Sequence, residues 1–235
     1  MKIRIKFTKT GSLKFIGHLD VMRYFQKLNR RAGMDMVYSK GFNPHQIMSF
    51  AQPLGLGLTS LGEYVDIEVN STVSSKEAIE AYNSESVPEI RILSYRLLPD
   101  TAANAMSSVA AADYEITFRE AFKPDFDLKE AFNDFMSLPC INFVKNTKKS
   151  TRELDIKPFI YKFNCNADSL TLRLSTGSVE NLKPETVLEA FYNHIGKDFN
   201  EFAFLIERTE VYGITRTADG SEKLIPLEDF GENIE

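Results

Sequence analysis

Cysteine is scarce in this chain of 235 residues: Cys140 and Cys165 are the only two, and neither belongs to a Cys-x-x-Cys pair or a Cys-x-x-x-Cys-x-x-Cys cluster. A structural zinc site and a cysteine-held iron–sulfur cluster therefore lack ligands, and two buried, reduced thiols are the expected state. Long apolar runs are missing as well. No stretch approaches the roughly 18 residues of a membrane span, and the opening MKIRIKFTKT alternates apolar and basic residues where a signal peptide would run apolar. A cytoplasmic protein with no membrane association is expected. Nucleotide-binding fingerprints are absent too. GLGLTSLGE, residues 55 to 63, places Gly55, Gly57 and Gly62 ahead of a strand, whereas a dinucleotide site needs Gly-x-Gly-x-x-Gly opening a helix and a P-loop needs Gly-Lys-Ser/Thr. Two readings of this glycine-rich loop stay open: a simple turn, or a hairpin whose amides approach a phosphate.

What is present begins with an ordinary globular balance, 43% hydrophobic and 26% charged. The net charge of −5 conceals an asymmetry. Residues 1 to 50 hold ten cations (Lys2, Arg4, Lys6, Lys9, Lys14, Arg23, Lys27, Arg30, Arg31 and Lys40) against only Asp20 and Asp35. A whole-chain pI of 5.4 argues against nucleic acid, but binding follows the local field of a patch. An anionic partner would dock on the N-terminal fifth.

KIRIKFT, residues 2 to 8, alternates Ile3, Ile5 and Phe7 against Lys2, Arg4 and Lys6, the period of a half-buried strand. A helix should follow over 19–32, with Val21, Phe25, Leu28 and Ala32 as its apolar face and Gly33 as its stop. Strands at 46–51 and 62–69, a helix at 76–84 capped by Ser74 or Ser75, and a strand at 90–98 complete a β-α-β-β-α-β unit. After a linker at 99–112 the rhythm returns. Strand 113–119, helix 128–137, strands near 140–145, 157–164 and 169–175, helix 184–195 and strand 201–208 give a second unit with one strand added. The fold class expected is α+β: two ferredoxin-like halves, at 1–98 and 113–210, with helices on one face of antiparallel sheets. Residues 211–235 read as an acidic, mobile tail.

The stretch FIGHLDVMRYFQKLNRRAGMDMVYSKGFNPH, residues 15 to 45, carries the candidate sites. At about 100° per residue, Arg23, Lys27, Arg30 and Arg31 share one side of the helix, opposite its apolar face. Such a face is either simply solvated or set for phosphate contact. Lys14 and Lys40 flank it. Lys145, Lys148, Lys149 and Arg152 form a second basic cluster in an expected hairpin loop, so that an RNA would span both. His18, beside Asp20 in GHLD, is either a packed or capping histidine or a general base on a ribose 2′-hydroxyl, with Lys14 or Arg23 near the phosphate and Tyr38, Tyr64 or His45 as the acid. His45 reads as a turn residue and His194 as a complement to a helix dipole. His18, Asp20, His45 and Glu63 match no metal-ligand spacing, so neither a metal nor a cofactor is expected.

With FIGHLDVMRYFQKLNRRAG, YSKGFNPH and SFAQPLGLGLTSLGEYVDIE in view, the chain resembles the bacterial radical-SAM-linked family, a domain of unknown function found alone or appended to radical S-adenosylmethionine proteins. The likeness is strongest over residues 1 to about 70. It implies a radical-SAM enzyme as partner, while the missing Cys-x-x-x-Cys-x-x-Cys keeps this chain from being the radical catalyst. A second resemblance is to CRISPR repeat-processing endoribonucleases, which pair two ferredoxin-like halves and in some members use a histidine near the first helix, where His18 stands. Their glycine-rich loop lies near the C-terminus, unlike residues 55 to 62 here. The leading expectation is a non-catalytic RNA-binding accessory module for tRNA or rRNA. The alternatives are a protein–protein adaptor for the radical-SAM enzyme and a metal-independent endoribonuclease using His18.

Overall fold

The computed structural model describes residues 1–146, 151–177, 180–217 and 219–235. In chain order the first elements are β1 (Lys2–Lys9), α1 (His18–Arg31), β2 (Met48–Phe50), β3 (Thr59–Glu68), α2 (Ser75–Glu85) and β4 (Ile92–Leu98). They are followed by α3 (Ala105–Ser108), β5 (Ala111–Phe118), α4 (Leu128–Ser137), β6 (Asn142–Asn146), β7 (Thr151–Asp155), β8 (Ile160–Cys165), β9 (Ser169–Ser175), α5 (Pro184–His194), β10 (Phe204–Arg216) and β11 (Glu222–Pro226). The protein is mixed α and β with mostly antiparallel sheet, and no helix among the described residues is long and apolar enough to cross a membrane. Two compact units divide the chain: Met1–Ala110 with Arg208–Glu235, and Ala111–Glu207.

In the first unit β1 lies between β4 and β3, and β2 pairs with the end of β3 through Met48↔Ile67 and Phe50↔Val65, all antiparallel. Ile3, Ile5 and Phe7 of β1 are fully buried in one core with Val21, Phe25 and Leu28 of α1 and Ala78 and Tyr82 of α2. Each large apolar side chain there contributes about 1.5–3 kcal/mol by leaving water. α2 begins on a reciprocal cap: Ser74 accepts from the Glu77 amide and the Glu77 carboxylate accepts from the Ser74 amide.

The alternation in β1 predicts a solvated second face, and the structure corrects this. Arg4 is 1% exposed. Its guanidinium donates to both Asp66 oxygens at 2.8 and 2.9 Å and to the carbonyls of Leu227 and Ala103. Lys6 donates to Glu210 and Glu228, each at 2.7 Å. The C-terminal residues supply this cover: within 211–235, expected as a mobile tail, residues 224–234 are packed into the first unit, while 219–223 are exposed. β11 pairs with β10, a 3₁₀ turn spans Leu227–Phe230, Glu232 bridges to Leu97, and the Ile234 carbonyl accepts from the Ser75 amide. One of its acids, Glu228, neutralises the part-buried Lys6.

In the second unit β9 lies between β5 and β8, antiparallel to both, and the start of β10 flanks β5. Asp113 and Arg173, opposite one another on β5 and β9, form a two-point ion pair at 2.7 and 2.8 Å. The core is aromatic, with Phe132 and Phe135 of α4 against Phe191 of α5. The expected extra strand is a separate hairpin, β6 with β7. The strand expected at 157–164 begins only at Ile160, because Pro158 sits in a 3₁₀ turn over Lys157–Phe159. Cys165 is buried, and burial pushes its thiol up to about 11. Cys140 is exposed in the connection after α4, contrary to the expectation of two buried thiols.

Candidate nucleic-acid interface

α1 owes its position to its apolar stripe and to one buried polar residue. Asn29 is fully buried, donates to the Gln46 side chain at 2.9 Å and accepts from the Tyr82 hydroxyl at 2.9 Å. An unsatisfied amide there would cost about 1–3 kcal/mol, so these bonds lock the rotation of α1 about its axis. Gln46 also donates to the Gln26 carbonyl at 3.1 Å. This clamps the turn of residues 38–46 along the flank of the helix, closed by the Tyr38↔Gln46 bridge and by Ser39 with His45. Sequence reasoning misses Asn29 because its spacing looks like one more polar position. Its place between Leu28 and the basic run is the available signal.

The consequence is a fixed solvent face. Arg23, Lys27, Arg30 and Arg31 are all exposed. Arg31 lies 3.7 Å from Glu85 of α2 and over the Tyr24 ring, and Arg23 approaches Asp20 at 3.4 Å. Exposed pairs of this kind are worth about 0–1 kcal/mol and yield readily to another anion. Lys27 and Arg30 have no acidic partner among the described residues. Arg30 and Arg31 also sit in the last turn, where cations complement the helix dipole. Lys40 is exposed in the clamped turn, whose tip carries a wholly exposed Phe42 and whose base carries an exposed Tyr38. Lys14 lies over the ring of its neighbour Phe15, itself exposed. These cations therefore alternate with unburied aromatic rings.

The remaining candidate positions fall into different settings. Lys148 and Lys149 lie outside the described residues, and for Lys145 and Arg152 the description stops at the backbone, which pairs them across β6 and β7. Gly57 has φ +86° and its amide donates to the Lys14 carbonyl at 2.8 Å, which ties the 55–58 turn to the 3₁₀ turn of Gly11–Phe15 that precedes α1. Gly62 is part of β3, not of a loop: a Cβ there would stand 2.8 Å from the Thr209 carbonyl oxygen and 2.9 Å from the Glu210 Cα. Its missing side chain admits β10. His18 is the first residue of α1, half-buried, with its ring edge-on to Phe50 at 5.2 Å. Tyr64 is buried and its hydroxyl donates to Glu210 at 2.6 Å; burial and that carboxylate hold it well above the ordinary tyrosine value. His45 is an exposed turn residue and His194 ends α5 against Phe135. No three His, Cys, Asp or Glu side chains among the described residues stand together to hold a metal.

The family model for uncharacterized proteins conserved in bacteria (DUF2344) matches residues 2–184, and the chain belongs to that family. No curated protein matches it.

Proposed function

From the geometry of α1 and the resemblance of residues 1 to about 70 to the radical-SAM-linked family, we propose that this bacterial protein is a non-catalytic module that binds single-stranded RNA, a tRNA or rRNA segment, for a radical-SAM modifying enzyme. The observation that carries the reading is the pair Lys27 and Arg30, exposed without acidic partners among the described residues and flanked by the clamped turn with Tyr38, Lys40 and Phe42. Phosphates would neutralise the cations while bases stack on the rings, a combination that suits single strands and is tolerant of sequence. The strand orders β4-β1-β3-β2 and β10-β5-β9-β8 support reading both units as ferredoxin-like. A cytoplasmic location agrees with two cysteines kept as free thiols.

Fluorescence anisotropy with short single-stranded RNA tests the proposal. Replacing Arg23, Lys27 and Arg30 together by Glu should abolish binding. Removing a single cation that neutralises a phosphate should lower the slope of log affinity against log salt by about 0.7. Absence of wild-type affinity at low salt would sink the reading. The adaptor alternative draws on the exposed Phe15, Leu19, Phe42 and Leu56, which suit a protein partner equally well. Under it, the radical-SAM enzyme would co-purify and resist nuclease. The endoribonuclease alternative receives less support, because the Tyr64 hydroxyl is already engaged by Glu210.

A further inference from the structure

Beside the start of α1 lies a cavity of about 20 Å³, lined by Phe7, Lys9, His18, Phe50, Glu63 and Tyr64 among others. It reaches solvent past the half-buried His18 and the exposed Pro53. Lys9, the last residue of β1, is 3% exposed and its ammonium donates to one carbonyl, that of Ile16, at 3.0 Å. An ammonium carries three N–H donors, so two find no protein acceptor among the described residues. Its nearby carboxylate is Glu63, and both Glu63 oxygens are taken by the buried Arg208 at 2.6 Å, with Arg208 further donating to the Gln52 carbonyl. Two cations thus share one carboxylate in a nearly dry setting. Burial pushes the Lys9 amine below its ordinary value; Glu63 pulls it back up, and Arg208 adds less to the fall than Glu63 takes away. Buried charge of this kind persists when a counter-charge arrives.

The same wall holds a helix start without a cap. α1 runs for 14 residues, and its N-cap position, Gly17, has no side chain to satisfy the first amides. The Asp20 amide turns back to the Gly17 carbonyl at 3.1 Å and Asp20 is the acid of that turn, which leaves the amide of His18, a lining residue, and that of Leu19 without a side-chain cap, on the element that borders the unfilled Lys9 donors.

We propose that this cavity is a phosphate site, which admits one phosphate oxygen between Lys9 and the first turn of α1 and leaves the rest of the group at the mouth. The volume sets the stoichiometry, since it holds about one water-sized atom and not a whole phosphate. A water there would fill the space but add no negative charge beside Lys9, whose one nearby carboxylate is already engaged by Arg208. The phosphate belongs either to an RNA backbone or to a free phosphate monoester, and the site stands whether or not the α1 face binds RNA.

The test uses the intact chain. Its thermal midpoint is followed in sodium phosphate and in sodium chloride of matched ionic strength. A saturable rise in phosphate alone is expected, about 3–6 °C at a concentration about ten times Kd. Lys9→Met should abolish the rise while melting no lower than the wild type in chloride. The triple α1 reversal to Glu should keep it. Equal midpoints of the wild type in the two salts would overturn the site. So would a rise that survives Lys9→Met or vanishes with the α1 reversal, because the response would then come from elsewhere. Should Lys9→Met fail to fold, the wild-type and α1 arms still decide. Adenosine monophosphate and an RNA without terminal phosphates then separate the sources: the one whose affinity falls at least tenfold in Lys9→Met is the natural ligand class.

Discussion

β1 and α1 are both rich in cations and follow one another along the chain, yet they use charge in opposite ways. On β1, Arg4 and Lys6 meet Asp66, Glu210 and Glu228 in the interior. On α1, Arg23, Lys27 and Arg30 meet water, with Asp20 the one carboxylate bonded to any of the three among the described residues. The difference teaches that a linear excess of positive charge over residues 1 to 50 is two quantities. One part is internal counter-charge, matched by Asp66 on the neighbouring strand and by Glu210 and Glu228 from the far end of the chain; the other is a surface field able to act on a partner.

The contrast can be broken most forcefully at Asp66. Asp66→Ala leaves Arg4 buried without its two-point partner, and urea unfolding should show a loss of about 3–5 kcal/mol. A loss below about 1 kcal/mol would mean that water reaches Arg4 and that the strand's second face is open. Gly62→Ala should come next. Its Cβ would press on the Thr209 carbonyl and the Glu210 Cα, so β10 must shift, at about 1–3 kcal/mol. Restored stability in a Gly62→Ala, Lys6→Met double variant, beyond the sum of the singles, would show that the two act through the same Lys6–Glu210 bond.

Titration sharpens the comparison further. Burial raises the Glu228 carboxyl, but the hydrogen bond and charge of Lys6 outweigh it and leave the group below its ordinary 4.5. For Lys6, burial works downward and is outweighed by Glu210 and Glu228, which hold it above 10.5. Glu228 therefore contributes stability that is present above 4.5 and lost as pH falls through its folded value; Lys6 contributes stability present below 10.5 and lost as pH rises through its folded value. Urea midpoints across this range should show a shallower acid limb for Glu228→Gln, and a shallower alkaline limb for Lys6→Met. The smallest effect belongs to α1. Reversal of Lys27 and Arg30 to Glu should move stability by no more than about 0.5 kcal/mol by the same urea assay. A larger loss would mark the helix face as structural.

The periodic parts of the fold are legible in the sequence because their signals are local. Alternation in KIRIKFT, the Val21, Phe25, Leu28 stripe and the Ser74 cap each act within a few residues, and β1, α1 and α2 stand within a residue or two of where those signals put them. The basic face of α1 is legible for the same reason, since one helix carries it. What stays hidden depends on partners far along the chain. Nothing near Arg4 or Lys6 distinguishes a solvated strand face from one that Leu227 and Glu228 will cover, at separations of 223 and 222 residues. Gly62 reads as part of a loop because its reason, the backbone of Thr209 and Glu210, lies equally remote. The pocket at Lys9 leaves no trace in the sequence because a lone lysine at a strand end carries no local mark of burial.

The return of the last residues to the first unit has a consequence during synthesis. Ribosomes release chain from the N-terminus, and domains ordinarily close in that order. Here the nascent segment up to Ala110 holds Lys6 without Glu210 and Glu228, and Glu63 without Arg208. The whole of the second unit is translated before those partners emerge. The unit begun first is the one finished last, and in the interval its β1 lacks the cover that the closing residues later provide.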